Sequence, residues 1–185
     1  MQTRLDRYNN SWYRPGGSLV RQILWYFVNQ LVFRHGLLPL NFLKCFLLKL
    51  FGAQVGKGVV IKPNVNIKYP WRLRIGDYVW IGEEVWIDNL GNIELQSHVC
   101  LSQGCLLICG NHNYKKSTFD LMVGDITLEE GVWIGVRAIV GPGVRAGNHA
   151  VLEAGSVAGK NLDVMTIYRG NPAQPVKKRI IDGAA

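Results

Sequence analysis

Residues 128–158 read LEEGVWIGVRAIVGPGVRAGNHAVLEAGSVA, and an aliphatic residue returns at every sixth position: Leu128, Ile134, Val140, Ala146, Leu152 and Ala158. The same beat runs earlier in three sets, Val55, Ile61, Ile67, then Ile75, Ile81, Ile87, then Leu95, Leu101, Leu107. Gly often follows the aliphatic, as at Gly56, Gly76, Gly82, Gly135 and Gly147. Four positions after the aliphatic stands a Val or a small residue, as at Val59, Val85, Cys105, Ala138 and Ser156. An α-helix and a plain strand both have shorter periods than this, so the repeat marks a solenoid.

Six residues make one short strand and one corner, and three such sides close a triangular coil of about 18 residues, stacked on the next at the parallel spacing of about 4.8 Å. The aliphatic points into the prism, and the small residue four positions later leaves room beside it. Gly after the aliphatic is expected to supply the corner backbone angles that other residues avoid. The first three sets start at residues 55, 75 and 95, so residues beyond a strict coil bulge outward; the coils from 128 and 146 are strict. About five coils would stack to roughly 24 Å. The expected fold class is an all-β solenoid. Its expected parts are a helical segment (1–51), the repeat prism (52–163, with one extruded loop at 108–127) and a C-terminal segment (164–185).

Residues 18–51 follow a different rule. Leu19, Val20, Ile23, Leu24, Phe27, Val28, Leu31 and Val32 recur with a near-four period, the signature of one apolar helical face. Ser18 is placed to cap that helix and Gly36 to end it. Pro39 and Asn41 break the chain, and Phe42, Leu43, Phe46, Leu47, Leu50 and Phe51 form a second apolar face with Lys44 and Lys49 off it. Neither stretch reaches about 20 uninterrupted apolar residues, which argues against a membrane span. Two roles remain open: covering the exposed strand edges of the first coil, or lying in a membrane interface, which Trp25, Tyr26, Arg21, Arg34, Lys44 and Lys49 would suit.

The net charge of +8 over 185 residues points to an anionic partner. Nucleic acid is the weakest choice, because the basic residues are scattered and no recognition helix or RNA-binding motif is present. Cys45, Cys100, Cys105 and Cys109 lack metal-site spacing and read as free thiols of a reducing compartment, the cytoplasm. Residues 1–17 are polar and do not resemble a cleavable signal peptide.

The beat breaks once, between Leu107 and Leu128, where the chain reads ICGNHNYKKSTFDLMVGDIT. A long insertion in a compact repeat is usually functional or disordered. Of the four histidines, only His112 stands at the root of this insertion. Imidazole ordinarily titrates near neutrality and can take a proton from a hydroxyl.

The coil repeats, His112 in its loop, VWIG at 132–135, AGSV at 154–157 and GNPA at 170–173 together resemble the hexapeptide-repeat acyltransferases, related to galactoside, maltose and nodulation-factor O-acetyltransferases. The chain is most similar to their colanic-acid biosynthesis branch, which shares the IKYPWRLRIGD segment at 67–77, NLG at 89–91, SQG at 102–104 and the YKKSTFDL loop. The resemblance implies a left-handed parallel β-helix. Handedness comes from that likeness alone, since parallel crossovers are ordinarily right-handed. It also implies a homotrimer with sites between neighbouring prisms, acetyl-CoA as co-substrate and no metal. The acceptor it implies is a sugar or lipid-linked saccharide at the inner face of the cytoplasmic membrane.

The same resemblance implies residue roles. His112 is the general base, and the backbone N–H of Val136 receives the developing oxyanion. Asn89 contacts the acceptor, although Asp88-Asn89-Leu90-Gly91 also reads as a plain corner turn. Gly135 and Ala154 contact the pantetheine arm, Trp133 walls the groove or packs between coils, Lys160 stands beside the phosphates, and Asn171 and Pro172 close the groove. Lys177, Lys178 and Arg179 meet the 3′-phosphate or form a solvated tail. Two positions depart from the relatives, Glu153 where Gly is common and Asn113 where Asp is common. The competing expectations are an N-acetyltransferase of an amino-sugar nucleotide, a non-catalytic membrane scaffold, and a zinc enzyme; for the last, His98, His112 and His149 lack the paired spacing.

Overall fold

The computed structural model describes residues 2–36 and 40–183. The six-residue beat builds a three-sided prism. Its first coil is β1 (Gln54–Val55), β2 (Val60–Ile61) and β3 (Asn66–Ile67). The second is β4 (Leu73–Ile75), β5 (Trp80–Ile81) and β6 (Trp86–Asp88), and the third β7 (Ile93–Leu95), β8 (Cys100–Leu101) and β9 (Leu106–Ile108). A hairpin of β10 (Gly110–His112) and β11 (Leu121–Val123) intervenes. The fourth coil is β12 (Ile126–Leu128), β13 (Trp133–Ile134) and β14 (Ile139–Val140); the fifth is β15 (Arg145–Ala146), β16 (Val151–Leu152) and β17 (Val157–Ala158).

Equivalent strands of successive coils pair in parallel on three faces: β1-β4-β7-β12-β15, β2-β5-β8-β13-β16 and β3-β6-β9-β14-β17. Beyond the expected five coils a sixth begins, where Leu162 bridges to Ala146 and β18 (Thr166–Gly170) extends the second face. β19 (Ala173–Lys178) then folds back antiparallel on β18. Register aligns the aliphatics in columns, such as Ile81, Leu101, Ile134 and Leu152 on the second face. All are buried, as are Val85, Cys105, Ala138 and Ser156 four positions after an aliphatic. Each buried Leu or Ile contributes about 1.5–3 kcal/mol relative to exposure, so the columns are the core.

The corner glycines have a different reason from the expected one. The left-handed backbone falls two residues later, at Asn64, Tyr78, Glu84, His98, Arg137 and His149 among others. Gly135 is required by close approach instead. A Cβ there would lie 2.6 Å from Ala154 N and 2.9 Å from Leu152 O on the next coil, closer than packed atoms tolerate.

The surplus residues all leave from one corner, the one joining the third face to the first. After β3 they form the short turn Pro70–Arg72. After β6 they are residues 89–92, and after β9 they are the β10–β11 hairpin. Slips of the rhythm are therefore stacked above one another along a single edge of the prism.

α1 (Leu19–Val28), capped by Ser18 Oγ accepting from Arg21 N, runs on as a π-helical turn (Asn29–Phe33). α2 (Asn41–Leu50) follows. Asn41 begins that helix rather than breaking the chain, and the break expected at Pro39 lies outside the described residues. Both helices cover the first coil, burying Trp25, Phe33 and Leu48 and packing Val28, Val32, Leu47 and Phe51 on the core, while the rest of the expected apolar stripes, from Leu19 to Leu50, faces outward. Trp25 Nε1 donates to Ile67 O at 2.8 Å, and Asn29 bonds Asn66 and Ile67. Asn41 bonds Val59 O and Ile61 N, and Lys44 donates to Lys62 O at 2.8 Å. These side chains satisfy edge groups that have no strand below them. Lys44, expected to be a surface cation, is fully buried.

Candidate active site

His112 ends β10, in a hairpin paired Gly110–Val123, Asn111–Met122 and His112–Leu121. The hairpin is braced by its own groups: Asn113 N donates to Asp120 O at 2.8 Å, and Lys116 pairs with Asp120 at 2.8 Å. Phe119 takes a left-handed backbone (φ 53), and both its ring and its carbonyl meet the imidazole. The two rings stack at 4.4 Å and 7°. Nδ1 of His112 lies 2.9 Å from Phe119 O. A carbonyl can only accept, so Nδ1 carries the proton and Nε2 the lone pair. The ring is thus oriented in the tautomer a general base requires.

His112 lines a cavity of about 390 Å³ with Tyr8, Tyr13, Lys68, Tyr69 and Leu90. Lys68 and Tyr69 come from the first coil's corner, Leu90 from the second's and His112 from the third's, so the stacked slips build the pocket wall. The N-terminal segment supplies the rest. Arg4 N donates to Ser117 O at 2.7 Å, Tyr13 Oη donates to Leu90 O at 2.9 Å, and the Tyr8 ring lies 5.7 Å from His112. Burial pushes the Tyr13 phenol up to about 12, so it stays a donor. Lys68 pairs with Asp88 at 2.9 Å. Sequence reasoning missed Tyr8, Tyr13, Lys68 and Tyr69. The 20-residue coil spacing was the available signal for the last two; nothing in the polar N-terminus marked the first two.

Asn89 does not face this cavity. It is 0% exposed, and its amide accepts from Tyr69 N at 2.9 Å and donates to Tyr69 O at 2.6 Å. It holds Tyr69 in the pocket wall, so its direct role is in the corner.

The residues expected to hold the co-substrate lie elsewhere on the prism. Gly135, Val136 and Ala154 occupy the corner joining the second face to the third, away from the His112 corner. Gly135 N–H bonds Leu152 O and Arg137 N–H bonds Gln103 O, while Val136 O accepts from Gly155 N. The Val136 N–H between them lies outside the ladder. Ala154 is exposed, and a Cβ on the adjacent Gly155 would meet no atom within 4 Å. Trp133, 46% exposed on the second face, donates to Ser102 Oγ at 2.9 Å. Lys160 and Pro172 line a cavity of about 300 Å³ with Gly159, Tyr168 and Ala173, while Asn171 is exposed beside it.

Three charged positions resolve differently from expectation. The Glu153 carboxylate is held by Arg169 through Nε and, at 3.1 Å, Nη2, which lowers its pKa from the usual carboxylate range. It therefore presents a neutralised pair rather than a lone negative charge. Arg179 donates to Gly131 O and His149 O at 3.0 and 3.1 Å, and Lys178 to Thr166 Oγ1 at 2.9 Å. Both are thus anchored to the fold rather than part of a solvated tail. Burial pushes the Cys105 and Cys109 thiols up to about 12, which makes them inert. Among the described residues, no group of three His, Cys, Asp or Glu could hold a metal ion, and no helix is long and apolar enough to cross a membrane.

No protein-family model matches the chain. Among curated proteins it is 37% identical over 165 residues to the Escherichia coli K12 protein named "Putative colanic acid biosynthesis acetyltransferase WcaF", covering 89% of this chain and 91% of that one. Among solved structures, a maltose O-acetyltransferase from Clostridium difficile superposes with a TM-score of 0.78 at 20% identity, covering 88% of each chain. A hexapeptide-repeat acetyltransferase from Vibrio cholerae, solved with acetyl-CoA, gives 0.77 at 19%, again over 88% of each. The prism is thus the left-handed β-helix of these enzymes.

Proposed function

The chain belongs to the hexapeptide-repeat acetyltransferases, and from that premise we propose that it moves an acetyl group from acetyl-CoA to a sugar hydroxyl in the synthesis of a cell-surface glycan. The observation that carries this is the oriented His112, with Nδ1–H bound to Phe119 O, in an aromatic pocket large enough for a sugar ring.

Bound acetyl-CoA supplies an activated thioester carbonyl. His112 takes the acceptor hydroxyl proton at Nε2 as the hydroxyl oxygen forms its bond to that carbonyl carbon. The Val136 N–H is the preorganised donor for the charge on the carbonyl oxygen. The carbon–sulfur bond then breaks, and His112 returns the proton to the departing sulfur. Gly135, Ala154 and Trp133 hold the arm, Lys160 meets its phosphates, and the segment after residue 164, with Asn171 and Pro172, closes the groove. Asn89 acts through Tyr69.

His112 and Val136 occupy different corners of one prism, so a complete site takes two neighbours. This supports a homotrimer in which each hairpin reaches the next subunit, as do the half-exposed indoles of Trp80, Trp86 and Trp133. The acceptor class is a saccharide carried on a lipid, which places the enzyme peripherally at the inner face of the cytoplasmic membrane.

The test is CoA release from acetyl-CoA with a panel of free, nucleotide-linked and lipid-linked sugars. His112→Ala should lower kcat by about 10³ while leaving acetyl-CoA binding by calorimetry intact. No turnover with any acceptor, together with no acetyl-CoA binding, would overturn the proposal. Turnover confined to amino sugars would move the reaction to N-acetylation.

A further inference from the structure

The helical cap is apolar on both sides. Its inner face buries Trp25, Phe33 and Leu48 against the first coil and bonds that coil through Trp25, Asn29, Asn41 and Lys44. Its outer face carries Leu19 (70% exposed), Ile23, Phe27, Phe42 (71%), Phe46 and Leu50, all exposed. Capping does not use that outer face, and contiguous apolar surface of this kind marks a contact with something else.

The charge distribution says what. Residues 7–76 hold eleven of the 21 Lys and Arg and none of the 13 Asp and Glu. The rest of the chain therefore has more acidic than basic residues, and all the positive excess lies at the capped end. An apolar helical face within a basic, acid-free region is complementary to an anionic bilayer.

A second feature links that end to the active site. A groove of about 340 Å³ runs between α1 and the first two coils, lined by Trp25, Tyr26, Lys68, Tyr69 and Trp86 among others. It shares Lys68 and Tyr69 with the His112 cavity. The His112 corner stands only two coil spacings above the first coil, on which the cap rests, roughly 10 Å at the parallel strand distance.

We propose that the outer face of α1 and α2 docks the enzyme on an anionic bilayer with the first coil nearest the lipid, and that the groove beside α1 leads a lipid-carried acceptor to His112. The groove half rests on the function proposed above, whereas the docking half stands apart from catalysis.

The full chain should float with vesicles of phosphatidylcholine and phosphatidylglycerol and at least tenfold less with phosphatidylcholine alone. A Phe42→Ser, Phe46→Ser variant should lose that binding at least tenfold while keeping its thermal melt and its turnover of a soluble acceptor, and its turnover of a lipid-linked acceptor should fall. Absence of flotation, or equal flotation of the variant, would overturn docking. So would a smaller assembly for the variant in light scattering without vesicles, because a second copy would then be what covers the face. Flotation without any acetyl transfer would instead remove the catalytic reading and leave the docking surface.

Discussion

The two ends of the prism close the same exposed ladder in opposite ways. At the first coil the cap is helical: it buries Trp25, Phe33 and Leu48, bonds strand edges through polar side chains, and leaves a second apolar face outward. At the last coil β18 adds another rung and β19 folds over it, with Arg179 bonding two corner carbonyls and Gly159, Lys160, Tyr168 and Pro172 left around a groove. The difference teaches that closing a solenoid demands hydrogen-bond partners and apolar cover for its last rung, and that helix and strand can both supply them. What the closing segment presents to the outside is then free to differ, an exposed apolar face at one end and an open groove at the other.

That contrast can be broken most forcefully at Lys44. Its ammonium is buried and bonds Ile61 and Lys62 carbonyls, so Lys44→Ala should cost about 3 kcal/mol, as an emptied buried site with unpaired acceptors does. Arg179 at the other end is only partly buried, and Arg179→Ala should cost about 1 kcal/mol. Chemical denaturation of both variants measures the asymmetry, and equal losses would erase it.

A smaller effect sharpens the same point through pH. Burial lowers the Lys44 pKa from its ordinary value, so in the interval between the two the unfolded chain holds the proton that the folded chain has released. Stability attributable to Lys44 therefore rises with pH across that interval and is flat below it. The melting-temperature gap between wild type and Lys44→Met should widen as pH rises toward the ordinary lysine value of about 10.4; a constant gap would mean that the ammonium is not desolvated by folding.

The smallest expected change is at the C-terminal groove. Because Arg169 already pairs with Glu153, Glu153→Gln should move the KM for acetyl-CoA by less than about threefold, in keeping with an exposed ion pair. A large fall in KM would mean that the carboxylate repels the bound phosphates.

The prism was legible in the sequence because its period is enforced by packing at every coil: Leu128, Ile134 and their column neighbours have nowhere to go but inward. The corner glycines were located correctly but explained wrongly, since a pattern of residue types does not distinguish a strained dihedral from a close approach between coils. Helical periodicity found the apolar face of residues 19–32 but could not say which part of it turns inward: Val28 and Val32 pack on the core while Leu19, Ile23 and Phe27 stay exposed, because the helix is oriented by edge groups of β2 and β3 that are remote in sequence. His112 was marked by the single long interruption. Its tautomer depends on the Phe119 carbonyl, and Tyr8 and Tyr13 join it from a segment about a hundred residues away, a juxtaposition that only the fold creates.

The stacking of coils also makes the molecule a ruler. The height of the imidazole above the helical cap is set by the number of coils between them, and each coil contributes one strand spacing of about 4.8 Å. Reach toward a more distant acceptor group can therefore change only in discrete steps, by inserting or deleting a whole turn. The corner where the rhythm slips, by contrast, can vary residue by residue without disturbing the scale.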